Sequence, residues 1–253
     1  MIQYFREFKY VYGEYGIIGL CFLAKTFMPD REKYWKNPIL YIKGRKASGK
    51  TELLKSILKL VERDCKTLSF NTVRYETLRE ELHDGSFVYA HIDDINKPLC
   101  VECKELIKSA FDKLYDKFLV ISGTQDLYDD IALYSRTIHL DLDSLPIYEY
   151  NNQSAKEAFR AFLFIRNNVL IREHTFRYDG HNFVKSAVKA EIVKEKFFPM
   201  AEERLKNNYA SLLSAYYYFS DIMPFTEQEA ISAIINSLEA QEKRLQNYKI
   251  LQQ

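Results

Sequence analysis

The sequence is poor in cysteine, and its few cysteines lack the spacing of a metal site or a disulfide framework. Of the four cysteines among 253 residues, only Cys100 and Cys103 have the C-x-x-C spacing of metal ligands. A structural zinc site needs two further ligands, but no second C-x-x-C exists and the five histidines show no H-x₃₋₅-H spacing. We therefore interpret Cys100 and Cys103 as two thiols on a helix, in a protein suited to the reducing cytosol.

The chain also has almost no net charge. Its formal net charge is +1 and 47% of its residues are hydrophobic. This composition is typical of a globular protein and excludes both a disordered tail and a strongly basic nucleic-acid coat. Any contact with nucleic acid must therefore be local.

A long apolar run is the third missing feature. The most apolar stretch, residues 16–28, is interrupted by Gly19 and Lys25 and is shorter than the roughly 20 residues that cross a bilayer. As a signal peptide it lacks an acid-free leader, because Glu7 and Glu14 precede it, and no A-x-A site follows. We expect no membrane anchor, no membrane partner and a cytoplasmic location.

The strongest positive signal is a phosphate-binding pattern in residues 44–51. These residues read Gly-Arg-Lys-Ala-Ser-Gly-Lys-Thr and fit G-x-x-x-x-G-K-[ST] at every fixed position. An apolar run, residues 39–42, precedes the pattern, and apolar residues at helical spacing follow it. This context predicts a strand, a loop whose backbone N–H groups surround phosphates, and a helix whose N-terminus favours anions.

The pattern predicts ATP and Mg²⁺ as cofactors. Lys50 is placed to reach the β- and γ-phosphates, and the Thr51 hydroxyl to bind Mg²⁺. The residues that we expect to contact the nucleotide are Gly44, Lys46, Ala47, Ser48, Gly49, Lys50, Thr51 and Glu52.

A second informative stretch, residues 87–94, is an apolar strand that ends in Asp93 and Asp94. Ligands of open α/β sheets lie at the carboxyl ends of the strands, beside the phosphate loop. Asp93 is placed to hold Mg²⁺ through water, and Asp94 to orient or deprotonate the attacking water. Alternatively, one of the two acids caps the helix that follows.

Another buried strand, residues 118–122, ends in a polar turn. A polar side chain there can reach the γ-phosphate or the attacking water, and Thr124 or Gln125 is the candidate, ahead of Ser122. The alternative is ordinary turn chemistry. A short segment, residues 131–134, then leads through Arg136 to a final alternating strand, residues 137–142.

This order of parts, over about residues 38–142, resembles the core of AAA+ ATPases. It is similar in particular to the superfamily 3 and primase–helicase-type ATPases of phages, plasmids and integrative elements. The resemblance implies a three-layer P-loop α/β sandwich with a five-stranded, mostly parallel sheet in the order 5-1-4-3-2. It also implies a homo-oligomer, with a hexameric ring as the leading expectation.

The resemblance gives roles to two arginines. In such ATPases an arginine before the last strand acts on the γ-phosphate of the neighbouring subunit, and Arg136 matches that position. The alternative for Arg136 is a surface ion pair with Asp129 or Asp130. A helical lid often places another arginine on the nucleotide, and we assign Arg204 to that role, against the alternative of a solvated helix face.

One departure from the family concerns DNA binding. Related helicases usually carry a DNA-gripping hairpin between the acid-pair strand and the next strand, whereas here a single helix, residues 100–116, fills that interval. Residues 71–75 are the remaining candidate loop, because an aromatic ring and a cation there could contact single-stranded nucleic acid. The alternative is a loop that simply enters a helix.

We divide the chain into an N-terminal helical segment packed on the core (residues 1–37), an ATPase core (38–145) and a helical C-terminal lid (146–253). Capping boxes begin helices at Ser154-x-x-Glu157 and Thr226-x-x-Glu229.

Two functional hypotheses follow from the motifs and the resemblance. The first is an ATP-hydrolysing motor that acts on single- or double-stranded DNA in the replication or maintenance of a mobile element. The second is a nucleotide-switched loader or scaffold that controls a partner protein without unwinding. A small-molecule kinase is disfavoured, because no acceptor lid is recognisable and an arginine precedes the last strand.

Overall fold

The described part of the chain consists of a central β-sheet and helices that pack against it. A computed structural model describes residues 2–25, 28, 36–51, 53–54, 65–69, 75–84, 89–113, 118–127, 129–144, 180–198, 201–221, 223 and 225–251. The strands are β1 (Ile39–Lys43), β2 (Cys65–Ser69), β3 (Tyr89–Ile95), β4 (Phe118–Gly123) and β5 (Thr137–Asp141). The helices are α1 (Ile2–Lys25), α2 (Tyr75–Asp84), α3 (Val101–Lys113), α4 (Ile131–Tyr134), α5 (Gly180–Phe197), α6 (Glu203–Tyr218) and α7 (Glu227–Leu251).

The five strands form one sheet in the order β2-β3-β4-β1-β5, and every neighbouring pair is parallel. This is the predicted order 5-1-4-3-2 read from the other edge, so the predicted α/β fold is confirmed. All six residues of β4 are buried, as expected for a strand that is covered on both faces. The apolar runs of the sequence therefore mark the centre of the sheet.

An irregularity in the sheet lies at the acid pair. Ile92 pairs with Ile121, but Ile95 pairs with Gly123, so Asp93 and Asp94 together face the single residue Ser122. Such a β-bulge locally disrupts the ladder and re-aims side chains. The bulge lies at the carboxyl end of β3, at the same edge of the sheet as the loop that follows β1.

The N-terminal helix α1 is kinked at Gly13, whose φ of 55° is outside the helical region. The prediction of a helix or a helix pair over residues 3–28 is thus confirmed for the described part. Phe22 meets Phe118 of β4 edge to face at 6.1 Å, and α1 also packs against α6 and α7. The segment therefore contacts both the sheet and the C-terminal helices.

The C-terminal helices dock on the edge strand β5 through the side chain of Gln241. Its Nε2 donates to Thr137 O (2.9 Å) and to Tyr134 O (3.3 Å). Its Oε1 accepts from Tyr209 Oη (2.9 Å) and from the His139 N–H (3.3 Å). An edge strand presents unpaired backbone groups, and this amide pairs with two of them as a further strand would.

The predicted capping box at the start of α7 is confirmed. The Glu229 N–H donates to Thr226 Oγ1 (3.3 Å), and the Thr226 N–H donates to Glu229 Oε2 (3.0 Å). The predicted boundary near residue 146, the Ser154 capping box and residues 71–74 of the candidate DNA loop lie outside the described residues. Among the described helices, none combines the length and apolarity needed to span a membrane.

Candidate functional site

The predicted phosphate loop leaves the carboxyl end of β1 and folds tightly on itself. The Gly44 N–H donates to Gly123 O of β4 (3.0 Å), which fixes the start of the loop to the sheet. A Cβ at position 44 would lie 2.2 Å from Ser48 Oγ. Any larger residue at this position would therefore force the Ser48 side chain to move.

The middle of the loop adopts left-handed backbone conformations. Gly49 has φ 88°, and Ala47 has φ 65°, the one positive value of a non-glycine residue in the described part of the chain. Such a conformation costs an alanine about 1–2 kcal/mol. Strain of this kind clusters at ligand sites. Alternation of right- and left-handed backbone conformations points successive N–H groups into one concavity that binds anions.

Lys50 begins the helix that follows the loop. The Leu53 N–H donates to Gly49 O (2.8 Å), the first helical hydrogen bond. The Lys50 ammonium donates to Gly44 O and to Arg45 O (2.8 Å). Its positive charge therefore lies over the loop, at the helix N-terminus where anions are favoured.

The loop residues fit a phosphate group. Ser48 Oγ is buried without a hydrogen-bond partner among the described residues, and an unsatisfied buried hydroxyl costs about 1–3 kcal/mol. A phosphate oxygen would satisfy it. From the 3₁₀ turn after β5, Asp143 Oδ1 accepts the Arg45 N–H (2.7 Å), a support for the loop that no sequence motif indicated.

Asp93 is part of a hydrogen-bonded group with Ser122 and His91. Ser122 Oγ donates to Asp93 Oδ1 at 2.6 Å, and His91 Nε2 lies 2.9 Å from Ser122 Oγ. His91 Nε2 and Asp93 Oδ1 are 3.6 Å apart, which is too far for a direct hydrogen bond. His91 and Ser122 are buried, whereas the Asp93 side chain is 34% exposed.

The His91 imidazole is neutral at physiological pH. Burial lowers its pKa to about 4, although the Asp93 carboxylate acts in the opposite direction. Sequence reasoning had treated His91 as part of an apolar strand and gave it no role. The signal that could have identified His91 is its position two residues before Asp93. Residues two apart in a regular strand lie on the same face of the sheet.

The three candidates at the carboxyl end of β4, namely Ser122, Thr124 and Gln125, differ in what they contact. The Thr124 N–H donates to Ile95 O (2.9 Å), and Gln125 Nε2 donates to Asn96 O (2.9 Å). The Gln125 carbonyl also accepts a hydrogen bond from Tyr41 Oη. These contacts hold the turn beside β3, whereas the side chain that contacts Asp93 is that of Ser122, which we had ranked last.

The phosphate loop and Asp93 lie at one edge of the sheet, with only β4 between their strands. Two strand spacings place their backbones about 10 Å apart. Thr51 is exposed and, with Asp93, supplies the hard oxygen donors that Mg²⁺ prefers. The described residues contain no cluster of three or more His, Cys, Asp or Glu side chains, so waters and phosphate oxygens would complete the coordination of a magnesium ion.

The side chains of two predicted site residues, Asp94 and Glu52, lie outside the described residues. The backbone of Asp94 belongs to β3, whereas Glu52 lies wholly outside the described residues.

The cysteine pair lies at the start of α3, where the Cys103 N–H donates to Cys100 Sγ (3.4 Å). Burial raises the pKa of Cys103 to about 12.

Arg136 lies at the amino edge of the sheet, opposite the phosphate loop of its own chain. The Ile39 N–H donates to Arg136 O (3.1 Å) at the start of β1, and four strand residues, about 13 Å, separate this point from the end of β1. Arg136 Nη1 donates to Ala132 O (2.7 Å), and the Arg136 guanidinium lies 5.6 Å from the Phe111 ring centroid. The alternative partners already have lysine neighbours, Lys104 for Asp129 and Lys108 for Asp130.

Arg204 lies at the same amino edge. Its Nη1 donates to Ser135 Oγ (3.0 Å), next to Arg136 in the chain. Asn208, one turn further along α6, donates from Nδ2 to Ser135 O (3.0 Å), which holds this helix against the start of β5. Within its own chain Arg204 therefore contacts the start of β5, and its contact with a nucleotide stays a prediction.

Comparison with solved structures shows the fold. The chain is similar to a candidate ATPase from Cytophaga hutchinsonii ATCC 33406, with 14% sequence identity and a TM-score of 0.50. The similarity covers 93% of this chain and 84% of that one. No protein-family model and no curated protein matches the sequence.

Proposed function

We propose that the chain is a Mg²⁺-dependent ATPase of the AAA+ type. The observation that carries the proposal is a strained, glycine-dependent phosphate loop that shares one edge of a parallel sheet with the partly exposed carboxylate of Asp93. The fold shared with a candidate ATPase supports this assignment. Neither a kinase-type acceptor lid nor a second substrate site is required by it.

Each residue has a specific role in the proposed reaction. The loop N–H groups and the Lys50 ammonium bind the phosphates and offset their charge. Thr51 and Asp93 would hold Mg²⁺, which supplies charge stabilisation to the transferring phosphoryl group when bound. Asp94 orients the attacking water, and Ser122, through its contact with Asp93, is our candidate for the polar group that responds to the γ-phosphate.

We further propose that the active assembly is a homo-oligomer, with a hexameric ring as the leading form. Arg136 lies about 13 Å or more from its own loop along the strand direction, which supports assigning it to the nucleotide of a neighbouring subunit and not to its own. Arg204 lies beside Ser135, so we place it at the same subunit boundary. An arginine contributed in trans is a recurring part of phosphoryl transfer.

We propose DNA as the substrate of the assembly, in the replication or maintenance of a mobile element, on the basis of the family resemblance. A second candidate is a nucleotide-switched loader that controls a partner protein. It is favoured by α3, because this helix occupies the interval in which related helicases carry a DNA-gripping hairpin.

Steady-state phosphate release with no nucleic acid, single-stranded DNA, double-stranded DNA and RNA distinguishes the candidates. The motor proposal predicts a rate that rises severalfold with DNA. An ATPase rate that none of the nucleic acids changes would favour the loader.

Mixing two inactive variants tests the arrangement in trans. Arg136→Ala and Asp93→Ala damage different subunits of a composite site, so mixed assemblies contain some intact sites and should recover activity. No recovery, with co-assembly confirmed, would make the role of Arg136 structural.

A further inference from the structure

We propose that His91 is a positioning residue, which acts through Ser122 to hold the Asp93 carboxylate in the orientation that binds Mg²⁺-nucleotide. The inference rests on the proposed ATPase function and adds a residue that no phosphate-loop motif contains. Its basis is the chain of two hydrogen bonds from His91 to Ser122 and from Ser122 to Asp93.

The direction of both hydrogen bonds follows from proton counting. A serine hydroxyl has one proton to donate, and the 2.6 Å contact with a carboxylate is a short, charge-assisted hydrogen bond. The Ser122 proton therefore points at Asp93 Oδ1. At 2.9 Å, His91 Nε2 must then donate its own proton to Ser122 Oγ, which fixes the tautomer of the imidazole.

The bulge in β3 explains why Asp93 needs such support. Asp93 and Asp94 share one partner position in the ladder with β4, whereas Asp93 stays in register with Ser69 of β2. On the side of β4 the ladder therefore constrains the carboxylate less than a regular strand would. His91 lies in the regular part of β3, paired with Val120, and is 3% exposed. It is therefore a rigid anchor from which Ser122 can hold Asp93 Oδ1.

The same contacts leave the other carboxylate oxygen available. Among the described residues, Ser122 and His91 are the side chains that approach Asp93, and both approach Oδ1. Oδ2 is thus the oxygen we assign to the metal side. Hydrogen-bond partners of metal-binding carboxylates typically contribute 10–100-fold to metal affinity.

The competing explanation is that His91 only fills the core. It predicts that removal of the imidazole lowers stability without any specific effect on Mg²⁺. His139 is a matched control, because it is equally buried (3% exposed) but lies in β5, on the far side of β1 from β4.

The test measures binding of a non-hydrolysable ATP analogue, with and without Mg²⁺, by isothermal titration calorimetry. The variants are His91→Leu, His91→Gln, Ser122→Ala and His139→Leu, and their thermal unfolding midpoints are compared in parallel. For His91→Leu and Ser122→Ala we expect the gain in affinity from Mg²⁺ to fall about tenfold. For His91→Leu, affinity in the absence of Mg²⁺ should be unchanged. His91→Gln, which keeps an N–H donor, should retain most of the gain, and His139→Leu all of it.

Two results would overturn the inference, and they are distinguishable. If the wild-type protein gains affinity from Mg²⁺ and folded His91→Leu or Ser122→Ala gains as much as His139→Leu does, the relay is irrelevant and His91 is a core residue. If the wild-type protein binds no nucleotide at all, the proposed ATPase function fails and the inference fails with it.

Discussion

The side chain of Gln241 offers a quantitative test of how the C-terminal helices are held on the sheet. Gln241→Leu replaces the amide side chain with an apolar side chain of similar size. It removes all four hydrogen bonds of the amide. Two of the partners keep other contacts, since Tyr134 O still accepts from Thr137 Oγ1 and Tyr209 Oη still contacts Ser237 Oγ.

The expected cost therefore comes from two backbone groups of β5. Thr137 O and the His139 N–H both lose their hydrogen bond to the Gln241 side chain. The loss of a buried hydrogen bond of this kind lowers the free energy of unfolding by about 1–3 kcal/mol. A cavity of about 280 Å³ borders Gln241 and His139, so water can partly replace the amide. We expect a loss of about 3 kcal/mol, a large share of the 5–15 kcal/mol typical of a domain.

Equilibrium urea denaturation, followed by far-ultraviolet circular dichroism, measures this loss. Gln246→Leu is the matched control, because Gln246 is an exposed glutamine of the same helix whose amide contacts Glu242 at 3.4 Å. Its cost should stay within about 0.5 kcal/mol. Equal unfolding free energies for Gln241→Leu and Gln246→Leu would refute the idea that this amide completes the edge of the sheet.

Two further variants test the loop and the start of α4. Gly44→Ala places a Cβ 2.2 Å from Ser48 Oγ, so the affinity for ATP, measured by calorimetry, should fall about tenfold or more. Unchanged affinity would show that the loop relaxes freely. Asp130 caps α4 at the Leu133 N–H and pairs with Lys108, so Asp130→Ala should cost about 1 kcal/mol at pH 7. Burial acts to raise the pKa of Asp130, but Lys108 and the Leu133 N–H outweigh it and hold this pKa below 3.8. The stabilisation is therefore complete well above pH 3.8 and disappears as the pH falls through the lowered value. A difference between wild type and variant that does not shrink as the pH is lowered below 3.8 would contradict this.

The parts of the fold that sequence reasoning reached are those encoded locally. The phosphate loop is a contiguous pattern whose glycines and lysine have fixed positions, and the apolar runs of β1 and β4 identify buried strands without knowledge of their neighbours. The strand order came from the family resemblance that these local patterns supported. The sheet has the same order.

The remaining contacts depend on how separate segments meet. The Ser122–Asp93 contact depends on the register between β3 and β4, which neither strand specifies alone. The place of Arg204 depends on α6 packing at the start of β5 through Asn208. Gln241 joins backbone groups more than 100 positions away in the chain, and backbone groups leave no trace in residue identity.

Mg²⁺-dependent phosphate release by the wild-type protein and Lys50→Ala is the most direct test of the central claim. Lys249→Ala, an exposed lysine near the end of α7, controls for the loss of one positive charge. We predict turnover by the wild-type protein and Lys249→Ala, and a rate about 100-fold lower for folded Lys50→Ala, because a charge that stabilises the transferring phosphate is gone. Equal rates for the three proteins, or no turnover by the wild-type protein, would contradict the assignment of residues 44–51 as the catalytic phosphate loop.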